Sequence, residues 1–132
     1  MPAGEDLRPI VSEWVAKAED DLTAALQILK LGKRAPTGTV SFHAQQCVEK
    51  YLKALLVVQG DEVPRTHDIE VLLELVVPSN RPVLTAREKE RLTRYAAEIR
   101  YPGSPNPSLT EARDAVALAR RVRAGVRKIL PK

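Results

Sequence analysis

The chain has 132 residues with 21 basic and 17 acidic side chains, which gives a formal net charge of +4. This length suits a single domain with one core. Apolar residues make up 44% of the chain and charged residues 29%, a balance that excludes disordered and low-complexity proteins. The single cysteine, Cys47, excludes a disulfide framework and a cysteine-rich zinc site. No apolar run approaches the ~18 residues that span a bilayer.

The amino terminus has neither the basic start nor the apolar stretch of a secretory signal, so we expect a cytoplasmic protein without a membrane partner. The pI near 9.4 permits an anionic partner, although a charge of +4 does not require one. The sequence contains no glycine-rich phosphate loop and no recognisable Ser/His/Asp arrangement, and we expect no cofactor.

Ten prolines divide the chain and leave five stretches without proline. A proline inside a helix costs about 3 kcal/mol, so these stretches are the predicted helices. Apolar residues recur in them at steps of three and four, and no segment alternates as a strand does. The sequence therefore predicts an all-α, up-and-down helical bundle of four to five helices. We expect one domain over residues 1–132, with the ordered bundle at about residues 11–130.

The first three predicted helices cover approximately residues 12–31, 39–59 and 67–77. The second has the widest apolar arc, which is typical of a central helix. The fourth and fifth begin with the capping-box patterns Thr85–Glu88 and Ser108–Glu111.

Polar residues form a strip beside the apolar arc of the second helix. They are spaced by three, four and three residues, and comprise His43, Gln46, Lys50 and Lys53. One imidazole, one amide and two ammonium groups on one strip could hold a phosphate or a carboxylate. The alternative is a solvated flank, whose lysine stems cover apolar neighbours.

His67 follows Pro64-Arg65-Thr66 just before the third helix. Either it closes the loop through a hydrogen bond, or it faces His43 across the turn between the second and third helices. Two histidines could share a metal, but no third ligand stands at a recognisable spacing, so we expect no metal site. Cys47 lies on the apolar arc, where a cysteine behaves as a small hydrophobic residue.

Charged residues near two helices leave further alternatives open. Glu19, Asp20 and Asp21 are adjacent on the first helix, where neighbouring side chains diverge by about 100°, so we expect at least two of them on a charged outer face. Arg100 stands at the predicted end of the fourth helix. It could simply interact with the helix dipole, or it could bind an anion.

The stretch Ser41–Leu56, which reads SFHAQQCVEKYLKALL, resembles the second-helix signature of prokaryotic HEPN domains. Three shorter segments resemble other parts of the same family in the expected order, and they read AEDDL at Ala18–Leu22, THDI at Thr66–Ile69 and IRYP at Ile99–Pro102. The resemblance thus extends over most of the chain.

This resemblance implies a HEPN-like bundle, usually a homodimer, that is often paired with a small nucleotidyltransferase in toxin–antitoxin-like modules. Many members are RNases whose catalytic arginine and histidine are separated by four to six residues. No such pair exists here, because Arg65 is separated from His67 by one residue and Arg34 from His43 by eight. The missing motif favours a non-catalytic protein.

Three functions remain open. The first is a nucleotide- or anion-binding, substrate-presenting module that acts with a nucleotidyltransferase, with His43, Gln46, Lys50, Lys53 and Arg100 as its ligand-binding residues. The second is a metal-independent RNase, for which His43, His67 and Arg100 are the candidate catalytic residues. The third is a structural dimerisation module without a ligand.

The positive charge is concentrated at the carboxyl end. Residues 109–132 hold seven basic and two acidic groups, whereas the rest of the chain holds 14 basic and 15 acidic ones. Arg113, Arg120 and Arg127 repeat every seven residues and form one ridge. The ridge is either a solvated face or a contact surface for RNA or an acidic partner.

Overall fold

The computed structural model describes residues 6–97 and 101–131, and these fold into five α-helices with no strand among them. Two short 3-10 turns, Gly32–Arg34 and Pro78–Asn80, lie between helices. The prediction of an all-α bundle is confirmed. The helices are α1 (Arg8–Leu29), α2 (Thr37–Gln59), α3 (Ile69–Leu75), α4 (Ala86–Ala97) and α5 (Leu109–Ile129).

Helix α2 is the central helix of the bundle. It packs most extensively against α1 and α5 and also contacts α3 and α4. Fourteen of its 23 residues are buried, which is more than an apolar arc alone can supply. Four polar residues are therefore drawn into the interior with the apolar ones, namely Ser41, Gln45, Glu49 and Lys53. Buried charges need paired, hydrogen-bonded partners, and those partners shape the candidate site.

The helix starts differ from the predicted ones for local reasons. Helix α1 already begins at Arg8, because Pro9 occupies its first turn, where a backbone N–H needs no intrahelical partner. Helix α3 begins at Ile69 instead of residue 67. The side chain of Asp68 caps it by accepting hydrogen bonds from the backbone N–H groups of the second and third helical residues. His67 consequently lies in the loop before α3.

The predicted capping boxes are confirmed at α4 and α5. The backbone N–H of Thr85 donates to Glu88 at 2.8 Å, and that of Glu88 donates to the Thr85 hydroxyl at 3.1 Å. Ser108 and Glu111 form the same reciprocal pair. Helix α2 ends at Gly60, whose φ of +88° lies in the left-handed region that favours glycine. None of the described helices is long and apolar enough to cross a membrane.

Candidate functional site

One carboxylate on α1 holds two residues of the predicted strip. His43 Nδ1 lies 2.8 Å from Asp21 Oδ1, and the Lys50 ammonium donates to Asp21 Oδ2. The Asp21 side chain is 11% exposed, whereas those of His43 and Lys50 are 28% and 21% exposed. We refer to these three residues as the Asp21 cluster. It joins α1 to α2 and leaves both basic groups at the protein surface.

A second carboxylate, on α2 itself, holds the last residue of the strip and the loop histidine. Lys53 Nζ lies 3.1 Å from Glu49 Oε2, and His67 Nδ1 lies 2.9 Å from Glu49 Oε1. The Glu49 and Lys53 side chains are only 3% and 7% exposed, but that of His67 is 71% exposed. We refer to these three residues as the Glu49 cluster. The Lys53 ammonium also lies 5.5 Å from the ring centre of Trp14, within the range of a cation–π contact.

Two glutamines extend the hydrogen bonds from the Glu49 cluster towards the strip. Gln46 Nε2 donates to Gln45 Oε1 at 2.7 Å, and Gln45 Nε2 donates to Glu49 Oε1 at 3.3 Å. The predicted strip is thus divided in the folded protein. His43 and Lys50 share one carboxylate, whereas Gln46 and Lys53 belong to the network of the other, and Lys53 turns away from solvent.

Both histidines present the same nitrogen to the protein. Each carboxylate also accepts a hydrogen bond from a lysine ammonium, and an ionised carboxylate can only accept hydrogen bonds. The Nδ1 atoms of His43 and His67 are therefore the donors, and the lone pair of each neutral ring lies on Nε2. The two rings contact different carboxylates, so the structure does not bring His43 and His67 together on one partner.

The acidic run on α1 points in three directions. Asp21 enters its cluster, Asp20 is exposed, and Glu19 accepts hydrogen bonds from Arg123 at 2.7 Å and Arg127 at 2.5 Å. The prediction that at least two of the three acids lie on a charged outer face is wrong, because partners on α2 and α5 draw Glu19 and Asp21 into interhelical pairs. Burial raises the pKa of Glu19, but hydrogen bonds, first that of Arg123, and the charges of Arg123 and Arg127 together outweigh burial and leave that pKa below its ordinary value.

Cys47 is a buried thiol between these acids. Burial, reinforced by the charges of Glu19 and Asp21, raises its pKa to about 12, so it is protonated at neutral pH and unsuited to nucleophilic attack. The neighbouring Tyr51 is fully buried as well. Burial and then the charge of Glu19 raise the pKa of its hydroxyl to about 12. Both groups are therefore protonated near neutral pH.

Arg100, predicted as a ligand-binding and catalytic candidate, lies outside the described residues. Within residues 6–97 and 101–131, no group of three or more His, Cys, Asp or Glu side chains is placed to hold a metal ion.

A cavity of about 400 Å³ lies between α4 and α5, and the residues that line it include Leu92 and Leu118. The described strip residues and His67 are not among the residues that line it. The polar chemistry and this cavity therefore occupy different parts of the bundle.

The arginines of α5, including those of the predicted ridge, are only partly free of ion pairs. Arg127 and Arg123 bind Glu19, and Arg121 binds both carboxylate oxygens of Glu88 at 2.9 and 3.0 Å. Arg113 and Arg120 are exposed and form no ion pair in the part of the chain that the structure describes. Part of the positive charge at the carboxyl end is therefore neutralised in ion pairs that join α5 to α1 and α4.

The sequence alone does not single out the two residues that organise the site. Asp21 is one of three adjacent acids on α1, and nothing in α1 indicates that this one faces α2. Glu49 stands four residues before Lys53, which is the spacing of a helical ion pair and could have signalled their contact. That spacing cannot distinguish a buried pair from an exposed one.

Comparison with known proteins agrees with this architecture. A family model described as the HEPN domain matches residues 11–129 of the chain. The fold is similar to the crystal structure of TT1696 from Thermus thermophilus, with a TM-score of 0.74 and 28% sequence identity. This likeness covers 91% of the present chain and 98% of the Thermus chain. No curated protein matches the chain in sequence.

Proposed function

Because this chain belongs to the HEPN domain family, and is thus a nucleotide- or RNA-related module in general terms, we propose that it binds a nucleotide or a similar anion at the Asp21 cluster. In this proposal it is a non-catalytic subunit that presents its ligand to a small nucleotidyltransferase, in a toxin–antitoxin-like pair. The geometry of His43 and Lys50 is the observation that carries the binding part.

His43 and Lys50 are anchored and accessible at the same time. Their side chains are 28% and 21% exposed, and each gives one donor to Asp21. An ammonium has three N–H donors, so Lys50 retains donors for an oxyanion, and the protonated His43 ring would add its Nε2–H. Since Asp21 already restricts both side chains, binding an anion would lose less rotamer entropy than it would with free lysines.

Lys53 supports this proposal only indirectly. Its ammonium is buried between Glu49 and Trp14, where it neutralises a carboxylate instead of meeting a ligand. Gln46 is half-buried and gives its amide N–H to Gln45. In our proposal these two residues hold the surface of α2 in place, while His43 and Lys50 make the contacts.

Isothermal titration with ATP and GTP tests the binding step. We expect Lys50→Gln and His43→Gln each to weaken binding by about tenfold, since hydrogen bonds to charged groups contribute about 1.5–3 kcal/mol. Lys33→Gln, at an exposed lysine away from the cluster, is the matched control and should bind as the parent does. Absence of binding at millimolar nucleotide, with or without the co-purified partner, would reject the nucleotide part.

The assembly part of the proposal requires its own measurements. We expect a homodimer, and sedimentation equilibrium that detects only the 14.6 kDa species at high micromolar concentration would contradict it. We also expect a nucleotidyltransferase to co-purify with the protein from its own host. The same preparation from a strain carrying Lys50→Gln would separate ligand binding from partner binding.

A metal-independent RNase is the second candidate, and the orientation of the two histidines favours it. In each, Nδ1 is held by a carboxylate and Nε2 is left to accept a proton, as a general base requires. Cleavage of single-stranded RNA that is lost in His43→Ala or His67→Ala would establish this function over the first. Cleavage that survives in both variants would point to a contaminating nuclease.

A further inference from the structure

His67 has a feature that nucleotide binding at the Asp21 cluster does not use. Its ring is tied at Nδ1 to Glu49, whose side chain is 3% exposed, yet 71% of the His67 side chain is open to solvent. The ring is therefore held by a buried carboxylate at Nδ1, and its opposite edge faces solvent. It lies in the loop before α3, which begins at Ile69.

The surroundings of Glu49 determine which nitrogen is nucleophilic. Lys53 and Gln45 donate to the same carboxylate at 3.1 and 3.3 Å, so it is held as an anion that can accept the Nδ1–H of His67. A neutral imidazole has one protonated nitrogen, and the lone pair must then lie on the exposed Nε2. A carboxylate on Nδ1 also fixes the orientation of the ring.

We propose that His67 is a phosphoryl-acceptor histidine, whose Nε2 takes a PO₃ group from a phosphoryl donor such as a phosphoramidate or a phosphorylated protein. The Nε2 lone pair attacks the donor phosphorus and forms an N–P bond. The bond from phosphorus to the leaving group breaks, and the leaving group departs with its electron pair. The ring becomes cationic while keeping its Nδ1 proton, and the Glu49 carboxylate 2.9 Å away offsets the new charge.

The chain contains a natural comparison for this reaction. His43 has the same Nδ1–carboxylate contact but is only 28% exposed, and its carboxylate is shared with Lys50 at the surface. Attack by Nε2 requires an in-line approach of the donor, so exposure should separate the two rings. The proposal concerns a different cluster from the nucleotide site, and failure of nucleotide binding would leave it standing.

Potassium phosphoramidate is a suitable probe because its leaving group is ammonia and it needs no enzyme. The purified protein would be treated at neutral pH, and phosphorylation of each histidine followed by mass spectrometry under conditions that preserve the N–P bond. We expect His67 to be modified about tenfold faster than His43, and ³¹P NMR to show the Nε2 isomer alone. His67→Gln should remove this signal.

Exposure alone must be distinguished from activation by Glu49. Arg65→His places a second exposed imidazole in the same loop, two residues from His67 and without a buried carboxylate of its own. His67 in that variant should react about tenfold faster than the introduced ring, which is the lower end of the effect of one hydrogen bond to a charged group. Glu49→Gln, and Glu49→Gln combined with Lys53→Met in case the single variant does not fold, should reduce the rate of His67 to that of the introduced ring.

Equal rates at position 67 and at the histidine introduced at position 65 would overturn the proposal, as would faster modification of His43. An Nδ1-phosphorylated product at His67 would overturn it too, because that nitrogen could not then be the one held by Glu49. Circular dichroism of each variant ensures that the rates compare folded proteins.

Discussion

The Asp21 cluster and the Glu49 cluster are built from the same three groups, but they differ in which group faces solvent. In each, a carboxylate holds one lysine and the Nδ1 atom of one histidine. In the Asp21 cluster both basic groups are half-buried, with exposures of 28% and 21%. In the Glu49 cluster the lysine is 7% exposed and the histidine 71%. The same three groups therefore present different side chains to solvent in the two places.

The difference follows from where each carboxylate lies. Asp21 projects from α1 and meets α2 at the edge of their interface, so its partners retain contact with water. Glu49 lies on the central helix and is itself buried, so its lysine is enclosed with it against Trp14. Removing one member of an enclosed ion pair is therefore more costly, because the other charge is left buried without a partner.

The largest expected effect follows from removing the buried carboxylate. Glu49→Gln leaves the enclosed Lys53 ammonium without a counter-charge, and we expect a loss of about 3–5 kcal/mol in the free energy of unfolding. Urea denaturation measures it. The double variant Glu49→Gln with Lys53→Met should recover most of the loss, because the stranded charge is gone. A loss below about 1 kcal/mol in the single variant is typical of an exposed ion pair and would contradict the burial of the Glu49–Lys53 pair.

The corresponding change in the other cluster should cost less. Asp21→Asn leaves Lys50 and His43 partly solvated, so we expect a loss of about 1–2 kcal/mol in the same denaturation experiment. Asp20→Asn, at the exposed neighbouring acid, should alter stability by less than about 0.5 kcal/mol. If Asp21→Asn proved as damaging as Glu49→Gln, the two clusters would not differ in burial as described.

Glu19 provides a third carboxylate, one that is paired with arginines instead of histidine and lysine. Its pKa lies below the ordinary 4.5 in the folded protein, so its stabilisation is fully present above about pH 4.5 and is lost as the pH falls through the folded-state value. We expect Glu19→Gln to remove this contribution. Below pH 4.5 the free energy of unfolding of the variant should therefore fall less steeply with decreasing pH than that of the parent protein. Parallel acid-unfolding curves for the two proteins would show that the arginine pairs do not stabilise the fold.

The smallest expected effect is on the pKa of Cys47, which responds to the charge of the Asp21 cluster. Its pKa of about 12 is raised first by burial and then by Glu19 and Asp21. Asp21→Asn should lower that pKa, because it removes one of the negative charges that disfavour the thiolate. Spectrophotometric titration of the thiolate in the folded protein measures the shift, with Lys33→Gln as the control. An unchanged or higher pKa in Asp21→Asn would be inconsistent with the direction of this electrostatic effect.

Much of the fold could be predicted because its signals are local. Proline-free stretches marked the five helices, and the boxes at Thr85 and Ser108 placed two of their starts, since a cap is formed by residues three apart. The predicted start of α3 is two residues too early. The side chain of Asp68 caps this helix, and only its hydrogen bonds to the next turn reveal that cap.

The candidate site was predicted in part. Spacing placed His43 and Lys50 on one strip, and the fold does bring them to one partner. Spacing within α2 could not identify that partner, because Asp21 lies on α1, where its position in the sequence resembles that of a surface acid. The strip was also expected to act as a unit, whereas the packing around α2 encloses Lys53 and leaves Lys50 at the surface.

The sequence by itself determined the five helices, the central place of α2 and the membership of the HEPN family, because periodicity, caps and the second-helix signature are all local along the chain. The tertiary structure alone decided which carboxylate binds which lysine and histidine, and how deeply each pair lies. These depend on the packing of four helices around α2, which sets the burial of each charge and hence whether it must be paired or can meet a ligand.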